Sequence, residues 1–243
     1  MAWHGVYTYP RAMVYESAVS GAPVTLSIWF RQDWLGNYYL CSIGKSTSYA
    51  EYHYLSTYTG GYLEGGVHHG RARTTTTFSA GTWHHGCAII GSSTDRRVFL
   101  NGGSKGVQTD SVRTYTGMDR IGVGCRACNN STCMGSFFGE LADFAVWDTT
   151  LEDEEVLALS SGVSPLLIRP GSLKIYRPLR NSYLNELDSA IDVASYTNGT
   201  NEFVSLSPPI WTPRSTFAVP GAAYTETASG NPWYYYAQQG AMA

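Results

Sequence analysis

Apolar and polar residues alternate with a period of two through much of the first two thirds of this chain, the mark of strands with one face turned inward. In VTLSIWFR, Val24, Leu26, Ile28 and Phe30 alternate with Thr25, Ser27, Trp29 and Arg31. NYYLCSIG (37–44) and AEYHYLSTY (50–58) repeat the pattern around a Lys-Ser-Thr-Ser turn, so these segments read as a three-stranded meander. Strands are also expected at Tyr62 to Val67 and Arg73 to Phe78, where Gly60, Gly61, Gly65, Gly66 and Gly70 leave the register weakly specified. Further on, Trp83, His85, Cys87 and Ile89 share one strand face and His84, Ala88 and Ile90 the other. Asn101-Gly102 predicts a two-residue hairpin, because both central positions of a type I′ turn need φ > 0.

The pattern changes over residues 137–162, FFGELADFAVWDTTLEDEEVLALSSG. Phe138, Ala142, Phe144 and Val146 fall on one face of a strand, and Leu141, Ala145 and Trp147 on the other. Both faces are apolar, which places this strand inside a stack. A short helix is expected next. Thr150 is its N-cap with Asp153 three residues on, Glu152 to Glu155 put negative charge on the first turn, and Gly162 and Pro165 stop it.

Of the ten prolines, only Pro10 and Pro23 precede residue 160, so the chain changes character after the helix. SLKIYRPL (172–179) still reads as a strand closing the sandwich. The remainder is polar, proline-broken and ends in PWYYYAQQGAMA, whose Trp233, Tyr234, Tyr235 and Tyr236 have the composition of an assembly interface. The first residues carry Trp3, Tyr7 and Tyr9 without periodicity. The expected organisation is an N-terminal arm over 1–20, a sandwich over 21–182 and an extended C-terminal interaction region over 183–243.

Composition narrows the function classes. A chain of 243 residues with 18 Tyr, 26 Gly and 14 % charged residues fits one strand-rich sandwich with tight turns. A formal net charge of −3 gives no basic footprint, so nucleic acid is not an expected partner. There is no run of 18 apolar residues, hence no expected membrane partner, and MAWHGVYTYPRAM lacks the charged and apolar regions of a signal peptide, which points to synthesis in the cytoplasm.

Four segments in order carry a family resemblance. GELADFAVWDTTLEDEEVLAL resembles the last strand and helix of the laminin-G-like, concanavalin A-like jelly rolls. TWHHGCAII (82–90) resembles their tryptophan-led strand, RRVFLNGG (96–103) their Asn-Gly hairpin, and DRIGVG (119–124) the strand before the last. The resemblance spans roughly residues 18 to 180 and implies an all-β antiparallel jelly-roll sandwich with one short helix and an extended C-terminal region. The segment from SPLLIRPGSLKIYRPL to SPPIWTP is similar to the region that follows such jelly rolls in tailed-phage structural proteins. That likeness implies a non-enzymatic virion or capsid decoration protein, assembled in the host cytoplasm into the virion as a homo-oligomer against capsid or tail subunits. A lectin-like module binding cell-surface glycans is the alternative, with Trp29 as the stacking ring, and a glycoside hydrolase the third.

The candidate chemistry argues against catalysis. Relatives that hydrolyse glycans carry Glu-x-Asp-x-x-Glu, so that alternate carboxylates face one groove. Here Glu140 and Asp143 are three apart, which on a regular strand puts them on opposite faces, and Asp148 does not restore the pattern. No catalytic residue, metal or cofactor is expected. Cys41 and Cys87 read as buried small hydrophobes. For Cys125, Cys128 and Cys133 in GCRACNNSTCMG, free thiols, a disulfide such as Cys128 to Cys133, and part of a zinc site all stay open, although no fourth local ligand follows. Asp33, Asn37 and Asp95 read as solvated turn residues rather than a calcium loop. The pairs His68-His69 and His84-His85 are expected to point to opposite faces of their strands.

Overall fold

A computed structural model describes residues 19–127, 135–177 and 179, together with the backbone of three short strands at 2–4, 12–15 and 202–204. The strands are β1 (Ala2–His4), β2 (Ala12–Tyr15), β3 (Val24–Gln32), β4 (Tyr39–Gly44), β5 (Tyr52–Tyr58), β6 (Tyr62–Val67), β7 (Gly70–Arg73), β8 (Trp83–Ser92), β9 (Asp95–Leu100), β10 (Gly103–Gln108), β11 (Arg120–Val123), β12 (Gly139–Trp147), β13 (Leu173–Arg177) and β14 (Glu202–Val204). A helix, α1 (Asp153–Ser160), follows β12.

These strands form two antiparallel sheets. The larger runs β10-β9-β8-β3-β12-β1-β14, with β13 also beside β12, and the six-stranded sheet runs β2-β11-β4-β5-β6-β7. β12 is the hinge of the larger sheet: one edge pairs with β3, while the other is shared by β1 at Glu140 and Leu141 and by β13 from Phe144 to Trp147. Thus β1 and β2 from the aromatic N-terminal stretch, and β14 from the C-terminal one, add backbone pairs to the two sheets.

The alternation of β3 is realised as expected. Leu26, Ile28 and Phe30 are fully buried between the sheets with Leu55, Leu63, Val98 and Phe144. A ring such as that of Phe30 contributes about 1.5–3 kcal/mol by leaving water. At Gly65 the sheets approach so closely that a Cβ would sit 2.6 Å from the Ala88 methyl, which is why this inward position of β6 carries no side chain. A second core lies on the other face of the larger sheet, where Val156 and Leu159 of α1 pack with Ile89, Phe99 and Trp147. The Trp147 indole donates to the Ile168 carbonyl at 2.7 Å. The Asn101-Gly102 turn has φ of 53° and 72°, the two positive values its hairpin requires.

Three local expectations are corrected. The strand at 73–78 is instead β7 at Gly70–Arg73, because the Thr74 hydroxyl takes the Leu63 amide and bonds the Thr76 carbonyl, turning the chain away from the sheet. The N-cap of α1 is Glu152 rather than Thr150, since the Glu155 carboxylate accepts the Glu152 amide at 2.7 Å. Most consequentially, Asp143 adopts φ 48° and the pairing of β12 with β3 shifts between Ala142 and Ala145. This bulge returns Leu141 to the inner core with Phe144 and Val146, whereas Ala145 and Trp147 face the helix.

Among the described residues no helix is long and apolar enough to cross a membrane.

Candidate functional site

Residues paired across neighbouring strands share a face, so the registers of the six-stranded sheet fix what it presents outward. One inward row joins Ile121, Ile43 and Val67, and the next joins Val123, Cys41, Leu55 and Ala72, all in the inner core. Between and beside these rows lie outward ones. Arg120, Gly44 and Tyr52 form the first, Gly122, Ser42, Tyr54, Gly66 and Arg71 the second, and Ser56, Glu64 and Arg73 the third. Period-two spacing in YHYLSTY and in Arg71-Ala-Arg73 thus gathers tyrosines and arginines on a single surface.

One half of this surface is covered by the chain leaving β11. A Cβ on Gly44 would stand 2.3 Å from the Ala127 carbonyl oxygen, and one on Gly122 2.6 Å from the Cys125 carbonyl oxygen. The two glycines leave the channel in which residues 125–127 lie. Ser42 fastens that segment, donating to the Cys125 carbonyl at 2.9 Å and accepting from the Ala127 amide at 2.7 Å. Arg126 is thereby set into a box of rings, its guanidinium carbon 4.3 Å from the centroid of Tyr49, 5.0 Å from Tyr52 and 6.0 Å from Tyr39. Burial opposes its charge, but hydrogen bonds to the hydroxyls of Tyr49 and Tyr52 more than compensate and raise its pKa. Tyr52 and Tyr54 are themselves pushed up, by burial first, and remain neutral phenols.

The other half is open. Glu64 is buried, and its Oε1 accepts from Arg73 Nη2 at 2.6 Å and Nε at 3.0 Å and lies 3.0 Å from Arg71 Nε. The Arg71 and Arg73 side chains are 53 % and 41 % exposed. Arg73 lies 3.9 Å over the Tyr58 ring and is 5.9 Å from that of Tyr62. The Glu64 hydrogen bonds raise the Arg73 pKa further. At the hairpin end, the Asn37 side-chain oxygen accepts the Thr59 amide at 2.6 Å and its hydroxyl at 2.8 Å, which anchors the β5–β6 turn. The result is a fixed fork of donors beside aromatic rings, built on strands.

The residues singled out from sequence lie elsewhere. Trp29 is only 8 % exposed, on the outer face of the larger sheet with its ring 5.5 Å from His85, so it does not offer a free face for stacking. Trp233, Tyr234, Tyr235, Tyr236, Cys128 and Cys133 lie outside the described residues. Glu140 and Asp143 are on the same face, contrary to the regular-strand expectation, because the bulge adds one residue between them. Glu140 pairs with Arg31 at 3.3 Å and Asp143 accepts from the Tyr176 hydroxyl at 2.6 Å. Cys125 is disulfide-bonded, which corrects the free-thiol reading for that residue and removes it as a zinc thiolate; Cys41 and Cys87 are free and buried, as expected. Asn37 is taken by Thr59, Asp33 lies 3.9 Å from Arg31 and Asp95 pairs with Arg97 at 3.0 Å. Among the described residues no three His, Cys, Asp or Glu side chains gather as a metal site. His68 and His69 sit in a turn rather than a strand, and their rings stack at 3.9 Å instead of pointing apart.

Two antiparallel sheets packed in this strand order, with one helix on the larger, make the class a jelly-roll sandwich, and the sequence agrees. Residues 8–157 match the model of the concanavalin A-like lectin/glucanases superfamily, and the chain belongs to that family. Among solved structures it is similar to a heptameric SAP-like pentraxin from Limulus polyphemus, at 16 % identity and TM-score 0.54 over 68 % of this chain and 82 % of that one. It is also similar to a "putative carbohydrate binding protein" from Bacteroides ovatus ATCC 8483, at 16 % identity and TM-score 0.56 over 74 % of this chain and 52 % of that one, about half its length. At these identities the likeness is one of fold. No curated protein matches the chain.

Proposed function

We propose that this protein is a non-enzymatic, lectin-like module that binds saccharides on the outer face of its six-stranded sheet. The observation that carries this is the Tyr58–Arg73–Glu64 constellation: an arginine stacked at 3.9 Å on a ring and held by a buried carboxylate. A sugar is recognised by donors and acceptors for its hydroxyls and by rings against its C–H face. Both are mounted on strands here, which limits the entropy lost on binding. The family includes lectins and glucanases, and the carboxylates that would suggest the latter, Glu140 and Asp143, are engaged by Arg31 and Tyr176. A glycan array probed with the full chain tests the reading. Arg73→Ala and Tyr58→Ala should lose the bound set, while Leu157→Ser on α1 should keep it; binding that survives both site variants would sink this assignment.

A second reading rests on composition. The Trp233 to Tyr236 cluster and the late prolines suit a segment that lies along a neighbouring subunit, as in a virion component displaying the sandwich. In the full chain, Trp233→Ser with Tyr235→Ser should then abolish self-association in sedimentation velocity. Unchanged assembly would remove this reading.

A further inference from the structure

We propose that the open half of this face selects acidic saccharides, those carrying carboxylate or sulfate groups, with Arg71 and Arg73 as the anion ligands. The inference deepens the saccharide-binding reading and rests on it. Its first support is charge. Glu64 is the one acidic residue in the segments forming β5, β6 and β7, and its single Oε1 serves both guanidinium groups. One carboxylate between two arginines leaves a net positive charge at a place where both side chains reach solvent. Neutral hydroxyls would gain little from that excess, whereas a carboxylate or sulfate would.

The second support is geometry. Arg73 binds Glu64 through Nε and Nη2, and Arg71 through Nε. Arg73 is engaged further by the Tyr58 side chain, whereas the closest approach of Arg71 to Glu64 is through Nε and its side chain is 53 % exposed, so Arg71 keeps the larger share of donors for a second anion. Arginine's planar fork suits carboxylate and sulfate oxygens, and an arginine already oriented by a buried acid and a ring gives up little freedom on binding. Tyr58, one face of which Arg73 covers, and Tyr62, both half-buried, border this fork with apolar surface that a bare anion would not need. That combination favours an acidic sugar over an acidic peptide.

The test is a titration of the full chain by calorimetry with three oligomers of matched length, a neutral galactan, an oligogalacturonate and a sulfated galactan, beside poly-glutamate of matched charge. The acidic oligomers should bind tighter than the neutral one by on the order of tenfold, an advantage that shrinks as salt rises from about 50 mM to about 500 mM. Poly-glutamate should bind no better than the neutral galactan. Arg71→Gln, which leaves the Glu64–Arg73 pair in place and so spares the fold, should lower the acidic advantage severalfold. Equal affinity for neutral and acidic oligomers, an unchanged Arg71→Gln variant, or poly-glutamate binding as well as the acidic sugars overturns the selectivity while saccharide binding stands. Binding of no oligomer here and of no glycan on the array overturns both.

Discussion

The Ser42 hydroxyl accepts the Ala127 amide at 2.7 Å, and through that bond a strand in the middle of the six-stranded sheet holds the loop that covers it. The same hydroxyl donates to the Cys125 carbonyl, so a single Oγ satisfies a buried donor and a buried acceptor at once. Ser42→Ala should therefore cost about 1–3 kcal/mol, the price of leaving buried polar groups unmatched. Chemical denaturation checks the loss, and a variant as stable as the parent would mean that the loop finds other partners.

Gly44 tests the same contact from the opposite side. A methyl there would press on the Ala127 carbonyl, a backbone atom that cannot swing aside. Gly44→Ala is expected to lift residues 125–127, lower stability by about 1–3 kcal/mol and release Arg126 from Tyr49 and Tyr52. Tyrosine fluorescence and thermal melting together report both effects. Gly103→Ala, whose added Cβ meets nothing within 4 Å, is the matched control.

How much of this was legible in the sequence depends on what each feature needs. Strand positions and inner faces follow from local alternation, which is why Val24 to Phe30 and the Asn101-Gly102 hairpin read correctly; the sheet a strand joins does not, and the expected three-stranded meander is split, with β3 in the larger sheet and β4 and β5 in the six-stranded one. The bulge at Asp143 did not, because a regular strand and a bulged one share the same apolar pattern until pairing with β3 is known. The face proposed to bind saccharides is hidden from the sequence for a related reason. Tyr52, Tyr54 and Tyr58 alternate visibly, but their neighbours Arg71 and Arg73 come from another strand and Arg126 from the segment that leaves β11, and only sheet register and the Ser42 bonds bring them together. The available signal was Arg71-Ala-Arg73 next to Tyr62-Leu-Glu64, two period-two pairs across one tight turn. A tryptophan between Ser27 and Arg31 reads as solvent-facing, yet Trp29 is buried on the outer face of its sheet.

Two buried histidines set a pH limit. Burial lowers His85, whose Nε2 bonds the Ser27 hydroxyl at 2.9 Å, to about 3, and lowers His53, in the inner core, to about 4, against an ordinary value of 6.5. The unfolded chain therefore takes up protons that the folded chain refuses. Stability is fully present above about pH 6.5 and drains as pH falls toward the folded values, by up to ~1.4 kcal/mol per pH unit for each histidine. Urea melts between about pH 6.5 and 5, above most carboxylate titration, should show this slope, and His85→Gln should remove one histidine's share of it. A flat profile would show that both rings reach solvent.

The cysteines give a direct count. Cys41 and Cys87 are free and buried, and Cys125 is disulfide-bonded, so one bond consumes two of the five and leaves three (5 − 2 = 3). Iodoacetamide should leave Cys41 and Cys87 untouched in the native protein and modify three thiols per chain after unreduced unfolding. Five modified thiols would mean that the loop is held by Ser42 and Arg126 without its covalent tie.

The last expectation concerns Glu140 and Asp143, which the bulge brings to one face of β12, where a paired-carboxylate glycosidase would want them. Position alone does not make them an acid and a nucleophile. Glu140 is 1 % exposed and faces Arg31, and Asp143 is 4 % exposed and holds the Tyr176 hydroxyl, so neither can approach a glycosidic oxygen without giving up a buried partner. Reducing-sugar assays on β-glucans should accordingly give no turnover. Glu140→Gln should lower stability by about 1–3 kcal/mol, because the Arg31 guanidinium loses a charged acceptor, without altering the saccharide binding proposed for the opposite sheet. Turnover in the parent protein that disappears in Glu140→Gln at unchanged stability would instead mean that this face opens to substrate, and the pair would then have to be read as catalytic.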